Sequence, residues 1–303
     1  MAKALRDPQA LAVASNGGIL IDSHLSDQIF EREPKGAFRV IAGNGRIGLA
    51  GDGGPASQAE LDLPVAIAVG ADGTIYIADL GNNRIRAVSP AGTISTFAQV
   101  PQPGALAVDR NGMVYVVDSA GVQSVGPGGS VQTIIAPRSR PTPEGPSIDI
   151  SIGGNLVAFD PDAIAISATG DIYVANFSPK LILRFSPNGL PSLIGEESPE
   201  TGIYAVPAGL AAAPDGSIVV ADYGAFAVDR ITGSSVSVVK AFAVGGLAAV
   251  NGILRPSGVA VDSNGEIYAD TDGLSGGSND TALIAIDPTG DVHVLDTGPP
   301  ANR

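Results

Sequence analysis

Residues 64–88 read PVAIAVGADGTIYIADLGNNRIRAV, and this stretch decides the fold. Pro64 opens a run of alanines and branched aliphatics, Asp72-Gly73 supplies a pair that tolerates the positive φ of a two-residue hairpin turn, and Ile75-Tyr76-Ile77 resumes in β-forming residues. Two antiparallel strands follow from that pattern. A third strand and a second turn, Pro90-Ala91-Gly92, lead into a fourth strand over 94–97, so the unit is a four-stranded meander.

Working outward, the opening phrase recurs at Pro8 (PQALAV), Pro103 (PGALAV), Pro161 (PDAIAI), Pro207 (PAGLAA) and Pro256 (PSGVAV), giving six copies with Pro64. Each is followed by a turn ending in glycine: Asn16-Gly17, Asp72-Gly73, Asn111-Gly112, Thr169-Gly170, Asp215-Gly216 and Asn264-Gly265. The second turn carries Pro two places before Gly in every copy but the fifth, which has Thr232-Gly233. Fourth strands are expected over 38–41, 94–97, 131–135, 191–194, 236–239 and 292–295. The strands are apolar on both faces, as in sheets covered on both sides by neighbours. Ala12, Ala68, Ala107, Ala165, Ala211 and Ala260 share one position of the first strand, where six innermost strands converge and large side chains would collide. The fold class is therefore all-β, a six-bladed β-propeller of four-stranded antiparallel meander blades. One domain covers 1–303, with blades at about 8–43, 64–98, 103–136, 161–195, 207–242 and 256–298. Closure is expected from packing of the first blade on the last, with residues 1–7 available for edge pairing.

Composition narrows the chemistry. Hydrophobic residues make up 44% and charged residues 16%, with 40 Gly and 23 Pro for the turns. A net charge of -14 works against phosphate backbones and anionic membranes, so neither nucleic acid nor membrane is expected as a partner, and a monomer is. Without cysteine there is no disulfide, thiolate nucleophile or Cys-ligated metal. The first 14 residues lack a basic segment followed by an apolar run of roughly 7 residues. The compartment is then cytoplasmic, or secreted after removal of a leader.

The stretch Asp72-Gly73-Thr74-Ile75-Tyr76-Ile77-Ala78-Asp79-Leu80-Gly81-Asn82-Asn83-Arg84-Ile85-Arg86 resembles the NHL repeat, in particular its bacterial form. The preceding Gly51-Asp52-Gly53-Gly54-Pro55-Ala56 resembles the connection between blades of such proteins. Elsewhere the Asn-Asn-Arg element is replaced, by Ser178-Pro179-Lys180 and Ala225-Phe226-Ala227. The resemblance implies a propeller that serves as a binding platform for a protein segment, glycan or small molecule. Relatives of similar shape include amidating lyases, lactonases and a Pictet-Spengler synthase, so a lyase, hydrolase or cyclase is the alternative. Some NHL proteins bind RNA through a basic top surface, which this acidic chain does not favour.

The Pro-led connections and the ends of the second strands meet at one face, the top. Insertions enter there at 43–63, 137–160, 195–206 and 243–255, with a short helix expected at 57–61. Loops on a rigid scaffold commonly carry function. Asp79, Asp118, Asn176 and Asp222 end second strands, while the first and sixth copies carry Asp22 and Asp270 one residue earlier. Asp79, Asp118, Asn176, Asp222 and Asp270 form either a ring of oxygen ligands for Ca²⁺ or Mg²⁺, or a set of turn caps accepting backbone N–H groups. Asp22-Ser23-His24 and Asp270-Thr271-Asp272 break the pattern in blades that become neighbours on closure. His24 is the candidate general base, with Asp22 and Asp272 as acidic partners; a solvated loop histidine is the plain alternative. Two histidines, His24 and His293, cannot make a three-histidine zinc site. Ser23 lacks a Gly-x-Ser-x-Gly elbow, and Gly43 to Gly54 lacks the Lys-Ser/Thr ending of a phosphate loop. Tyr204, Tyr223, Phe159 and Phe177 are candidates for an apolar ligand wall, and Arg46, Arg84 and Arg255 for contact with a ligand carboxylate.

Overall fold

The computed structural model describes residues 8, 10–118, 120–136, 138–142, 145–152, 155–158, 161–176, 180–187, 191–196, 206–242, 255–272 and 281–297. Six antiparallel four-stranded sheets, each built from consecutive strands, form the blades of a propeller. Their innermost strands are Leu11–Val13, Pro64–Val69, Leu106–Val108, Pro161–Ile166, Pro207–Ala212 and Arg255–Val261. Each innermost strand lies beside that of the next blade, and the first also lies beside the sixth, so the ring is closed.

The blades are held by apolar clusters at their interfaces. Ile67, Ile77, Val88 and Ile94 of blade 2 pack on Leu20 and Ile29 of blade 1. Ala66, Tyr76 and Ala78, on the opposite face of the same sheet, pack on Leu106, Val114 and Val116 of blade 3. This is why the strands are apolar on both faces: strand alternation sends successive side chains to two different neighbours. The closing seam is of the same kind, with Leu11, Ile19 and Ile21 against Ala260, Tyr268 and Leu283. Alanine at the shared first-strand position sits within these interfaces: Ala12 packs toward blade 2, Ala107 toward blade 4 and Ala260 toward blade 1. Innermost strands come close together at Gly209, where a Cβ would stand 2.8 Å from the Ser257 carbonyl oxygen and 3.1 Å from Gly258 Cα.

The first reversal of each blade differs from the two-residue turn read from sequence. Ala14 N–H donates to the Gly18 carbonyl and Gly17 N–H to that of Ala14, which makes a three-residue loop. Only the closing glycine is left-handed, with φ between 78° at Gly112 and 85° at Gly170 and Gly216. That is a type I turn followed by a bulge, and it accounts for Asn, Asp or Thr before the glycine without requiring positive φ there. The Asx side chain instead accepts from the backbone two residues on, as Asn16 Oδ1 does from Gly18 N–H at 2.9 Å.

Two insertions also depart from expectation. Residues 138–158 contain a three-stranded antiparallel sheet, Arg138–Thr142, Gly145–Ile152 and Asn155–Ala158, where sequence indicated only a long loop. The 43–63 connection leaves the top and runs along the outer strand of blade 2. Gly53 N–H donates to the Ile94 carbonyl and Ala56 N–H to that of Gly92. Its helical turn is a 3₁₀ segment at Ala56–Gln58 rather than at 57–61.

Candidate functional site

The innermost strands begin at the top face around a shared cavity of about 510 Å³. Every blade contributes a small residue followed by a branched apolar one: Ala10-Leu11, Ala66-Ile67, Ala105-Leu106, Ala163-Ile164, Gly209-Leu210 and Gly258-Val259. Leu80 joins the lining from the end of a second strand, and Asp162 is the one ionisable side chain in it among the described residues. At Gly209 even a Cβ would meet the next innermost strand, whereas the alanines leave the opening unfilled.

The second-strand termini lie around this opening but turn outward into the blade interfaces. A first-strand proline has no N–H, and the acid paired opposite serves the connection that precedes it. Asp79 pairs with Pro64, and its Oδ1 accepts the Asp62 N–H at 2.8 Å. Asp222 pairs with Pro207, and its Oδ1 accepts from Val206 and Ala225 N–H, both at 3.0 Å. Asp22 Oδ1 accepts from Ala10 N–H at 2.8 Å. Asp270 accepts from Gly258 N–H and from the Ser257 hydroxyl. Asp118 Oδ1 caps its own turn through Ala120 N–H at 2.8 Å. Asn176 is fully buried. The five aspartates act as turn and connection caps. Among the described residues no three His, Cys, Asp or Glu side chains stand close enough together to hold a metal ion, so the five do not converge on one cation.

Two residues inward on the third strand, each blade places a side chain on the same face as its second-strand terminus. In blade 2 this is Arg86, opposite Ile77 and fully buried. Its guanidinium reaches Asp79 Oδ2 at 3.3 Å, Asp52 Oδ1 at 2.6 Å and the Glu60 carbonyl at 3.2 Å. Burial pushes the Asp79 carboxyl upward, against the pull of the Asp62 N–H, Asn82 and Arg86. Burial also raises Asp118, against its hydrogen bonds from Ala120 and Gln123. This interior position was not singled out from sequence, because the Arg-Ile-Arg of the repeat gives no sign of which arginine points inward.

His24 occupies in blade 1 the position Leu80 has in blade 2, directly after the second strand. Its Nδ1 lies 3.3 Å from the Pro64 carbonyl oxygen, so the ring leans on blade 2 rather than on blade 6. No carboxylate among the described residues is within ion-pair distance of it. The backbone of Asp272 pairs with Arg255, while its side chain falls outside the described residues. Among the described residues the structure does not bring His24 together with Asp22, and a pairing with Asp272 lies outside them. Among the proposed wall residues, Phe159, Phe177 and Tyr204 also fall outside the described residues.

Tyr223 and Arg255 do meet. The guanidinium carbon of Arg255 lies 5.3 Å from the Tyr223 ring centroid and 5.0 Å from that of Phe226, and Arg255 donates to the Tyr223 hydroxyl at 3.3 Å. Phe226 takes φ +56° at the turn position that blades 1 and 2 give to Asp27 and Asn83, also left-handed. A large aromatic residue is strained there. Arg84 is used locally, donating to the Asn82 carbonyl and toward the Thr96 hydroxyl. Arg46 is exposed, its backbone held by Asn44.

Comparison with known proteins agrees with this architecture. A model of the teneurin NHL domain matches residues 3–89. Mouse Teneurin-1 is 35% identical over 98 residues, which is 28% of this chain and 4% of that protein's length. Among solved structures, virginiamycin B lyase from Staphylococcus aureus superposes with a TM-score of 0.59 at 12% identity, over 98% of this chain and 85% of that one. A gluconolactonase from Xanthomonas campestris gives 0.59 at 13%, over 98% and 86%. Regucalcin from Agrobacterium tumefaciens, described as a calcium-binding protein, gives 0.58 at 15%, over 88% and 83%. At these identities the structural likeness is one of fold. Among the described residues no helix is long and apolar enough to cross a membrane.

Proposed function

Starting from a six-bladed propeller of NHL type, we propose that this chain is a binding module whose top-face cavity receives the apolar part of a small molecule or of a protein segment. The observation that carries this reading is the lining. Six blades contribute alanine, glycine and branched aliphatics, and the only ionisable side chain among the described residues of the lining is Asp162. Ligand pockets are commonly apolar concavities of about 300–1,000 Å³ with a few polar groups that set orientation. Asp162 and the Ser257 hydroxyl supply such groups. A sugar, with a hydroxyl on nearly every carbon, would leave most of its donors unmatched against this wall, so a glycan is disfavoured.

Among the described residues, acid–base catalysis inside the cavity would rest on Asp162 alone, because proton transfer needs a positioned acid or base within hydrogen-bond reach of the reacting group. His24, the candidate from sequence, leans on Pro64 and does not line the cavity. Lyase and gluconolactonase folds among the structural neighbours speak to the scaffold, which hosts many functions.

The test uses a neutral apolar fluorescent dye as probe. Ala105 and Ala208 line the cavity and are only partly buried, so Ala105→Trp and Ala208→Trp fill it from two blades. Saturable binding of one dye per chain is expected, with at least ten-fold weakening in the double variant at unchanged melting temperature. Binding that the filling substitutions leave untouched would overturn the reading. His24→Ala is expected to bind as the parent does.

A further inference from the structure

The connection at 43–63 inverts the usual partition of side chains by size. Its small Ala56 and Ala59 are buried with Leu61 against blades 1 and 2, while Ile47 is 69% and Leu49 51% exposed. Leu25, in the turn after the second strand of blade 1, and Leu63 are exposed as well. Among the described residues eight large hydrophobic side chains are exposed; four belong to this one region, and the other four are spread over the outer strands of blades 3, 5 and 6. Single exposed aliphatics need no partner, whereas a group gathered on one surface marks an interaction site.

Backbone hydrogen bonds fix the region in place. Gly48 N–H donates to the Leu61 carbonyl at 3.2 Å and Glu60 N–H to that of Ala50 at 2.9 Å, so the stretches that carry Ile47, Leu49 and Leu63 lie side by side. Leu63 takes φ +51°, uncommon for a residue other than glycine. Its N–H donates to Oδ1 of the buried Asp27 at 2.9 Å, two residues after Leu25, which brings blade 1 to the same surface. Side chains ordered in advance lose less entropy when a partner covers them.

Two carboxylates border this surface. That of Glu60 occupies the space a Cβ at Gly48 would fill, and that of Asp62 the corresponding space at Gly81. Both residues are half-buried, and among the described residues neither side chain has a hydrogen bond or an ion pair. The remaining acid of the connection, Asp52, is paired with Arg86 at 2.6 Å, and Arg46 is its one cation. The border is therefore net negative. A second copy of this chain, with a net charge of -14, would be repelled, as would an anionic membrane.

We propose that Leu25, Ile47, Leu49 and Leu63 dock an aliphatic segment of a partner protein whose flanking Lys or Arg residues meet Glu60 and Asp62. None of these six residues lines the axial cavity, so the surface stands whether or not that cavity takes a ligand.

The probe is a fluorescent peptide, blocked at both ends, in which a run of leucines is flanked by lysines; its counterparts carry Glu for Lys, or Ser for Leu. Fluorescence anisotropy is expected to show saturable binding of one Leu-Lys peptide per chain, at least ten-fold tighter than of either counterpart. Ile47→Ser with Leu49→Ser is expected to weaken it at least ten-fold at unchanged melting temperature, since both side chains are exposed. Glu60→Gln with Asp62→Asn is expected to do the same. Removing two acids from the turns between third and fourth strands on the opposite face, Glu33→Gln with Asp291→Asn, is expected to change binding less than two-fold, and Arg46→Gln to strengthen it. The cavity-filling variant with Ala105→Trp and Ala208→Trp is expected to bind the peptide as the parent does, which separates this surface from the cavity. Absence of saturable binding, equal binding of the Glu peptide, or loss of binding in the cavity-filling variant would overturn the proposal. So would a dimer in sedimentation that Ile47→Ser with Leu49→Ser dissociates.

Discussion

At the scale of single residues, the molecule shows how one position can be solved in several ways. Arg86 is buried with two carboxylates and a carbonyl around it, and its removal would strand Asp79 without a counter-charge. Breaking a buried pair by taking one partner away costs about 3–5 kcal/mol, whereas replacing both members by matched neutral groups is often close to neutral. Arg86→Leu is therefore expected to destabilise by about 3–5 kcal/mol in chemical denaturation. The double variant Asp79→Asn with Arg86→Leu, which reproduces the Asn176 and Leu183 of blade 4, is expected to recover more than half of that loss. Glycines divide in a similar way. Gly209→Ala drives a Cβ to 2.8 Å from backbone oxygen of the next blade, where little can give, and is expected to cost about 1–3 kcal/mol. Gly216→Ala meets open space but a φ of +85°, so its penalty is one of backbone conformation, about 1 kcal/mol.

At the scale of the blade element, the lower turns are tied by polar side chains that the repeat pattern partly announces. In blade 4, Asp171 accepts from Arg184 at 2.8 Å and from Thr169 at 2.9 Å. Burial acts to raise this carboxyl, but hydrogen bonds from Ser186, Arg184 and Thr169 prevail and hold it below the usual range. A carboxyl lowered on folding contributes stability that is complete above its unfolded pKa of about 3.9 and is lost as pH falls through the folded value. The stability difference between the parent protein and Asp171→Asn, measured by urea unfolding, is therefore expected to be constant from pH 7 to pH 5 and to shrink below pH 4. An undiminished difference at pH 3 would contradict this account. The repeat made the strands, the glycine turns and the six first-strand prolines legible, because strand periodicity and turn chemistry are local properties. The loop length at Gly17 and its counterparts was not legible, since Asn-Gly serves two-residue and three-residue reversals alike. Nor was the sheet at 138–158, whose Arg138-Ser139-Arg140-Pro141-Thr142 strand lacks the apolar pattern that marks the blades. The partners of the second-strand acids escaped as well, because whether Asp79 faces a cation or a connection amide depends on which neighbouring blade its face meets.

For the whole molecule, the closed ring decides how stability is shared. Each blade exposes two apolar faces and has no core of its own, so any blade depends on both neighbours, and the first depends on the last through Leu11, Ile19 and Ile21 against Tyr268 and Leu283. An open stack of repeats behaves as a chain of nearest-neighbour units, in which terminal units fray before central ones. A closed ring has no terminal unit. Leu283→Ala at the seam between blades 6 and 1 and Ile182→Ala between blades 4 and 5 remove buried side chains of similar size, and each is expected to cost about 2–5 kcal/mol. In a closed ring both lower the midpoint of one shared unfolding transition, and tyrosine fluorescence and far-ultraviolet circular dichroism stay coincident in both variants. If the seam behaved as an end, Leu283→Ala would instead split off an early transition limited to blades 1 and 6 while leaving the main one in place. The same closure is what holds six strand origins around a single cavity, so a variant with a split transition would also be expected to lose the top-face binding site before it lost its β-structure.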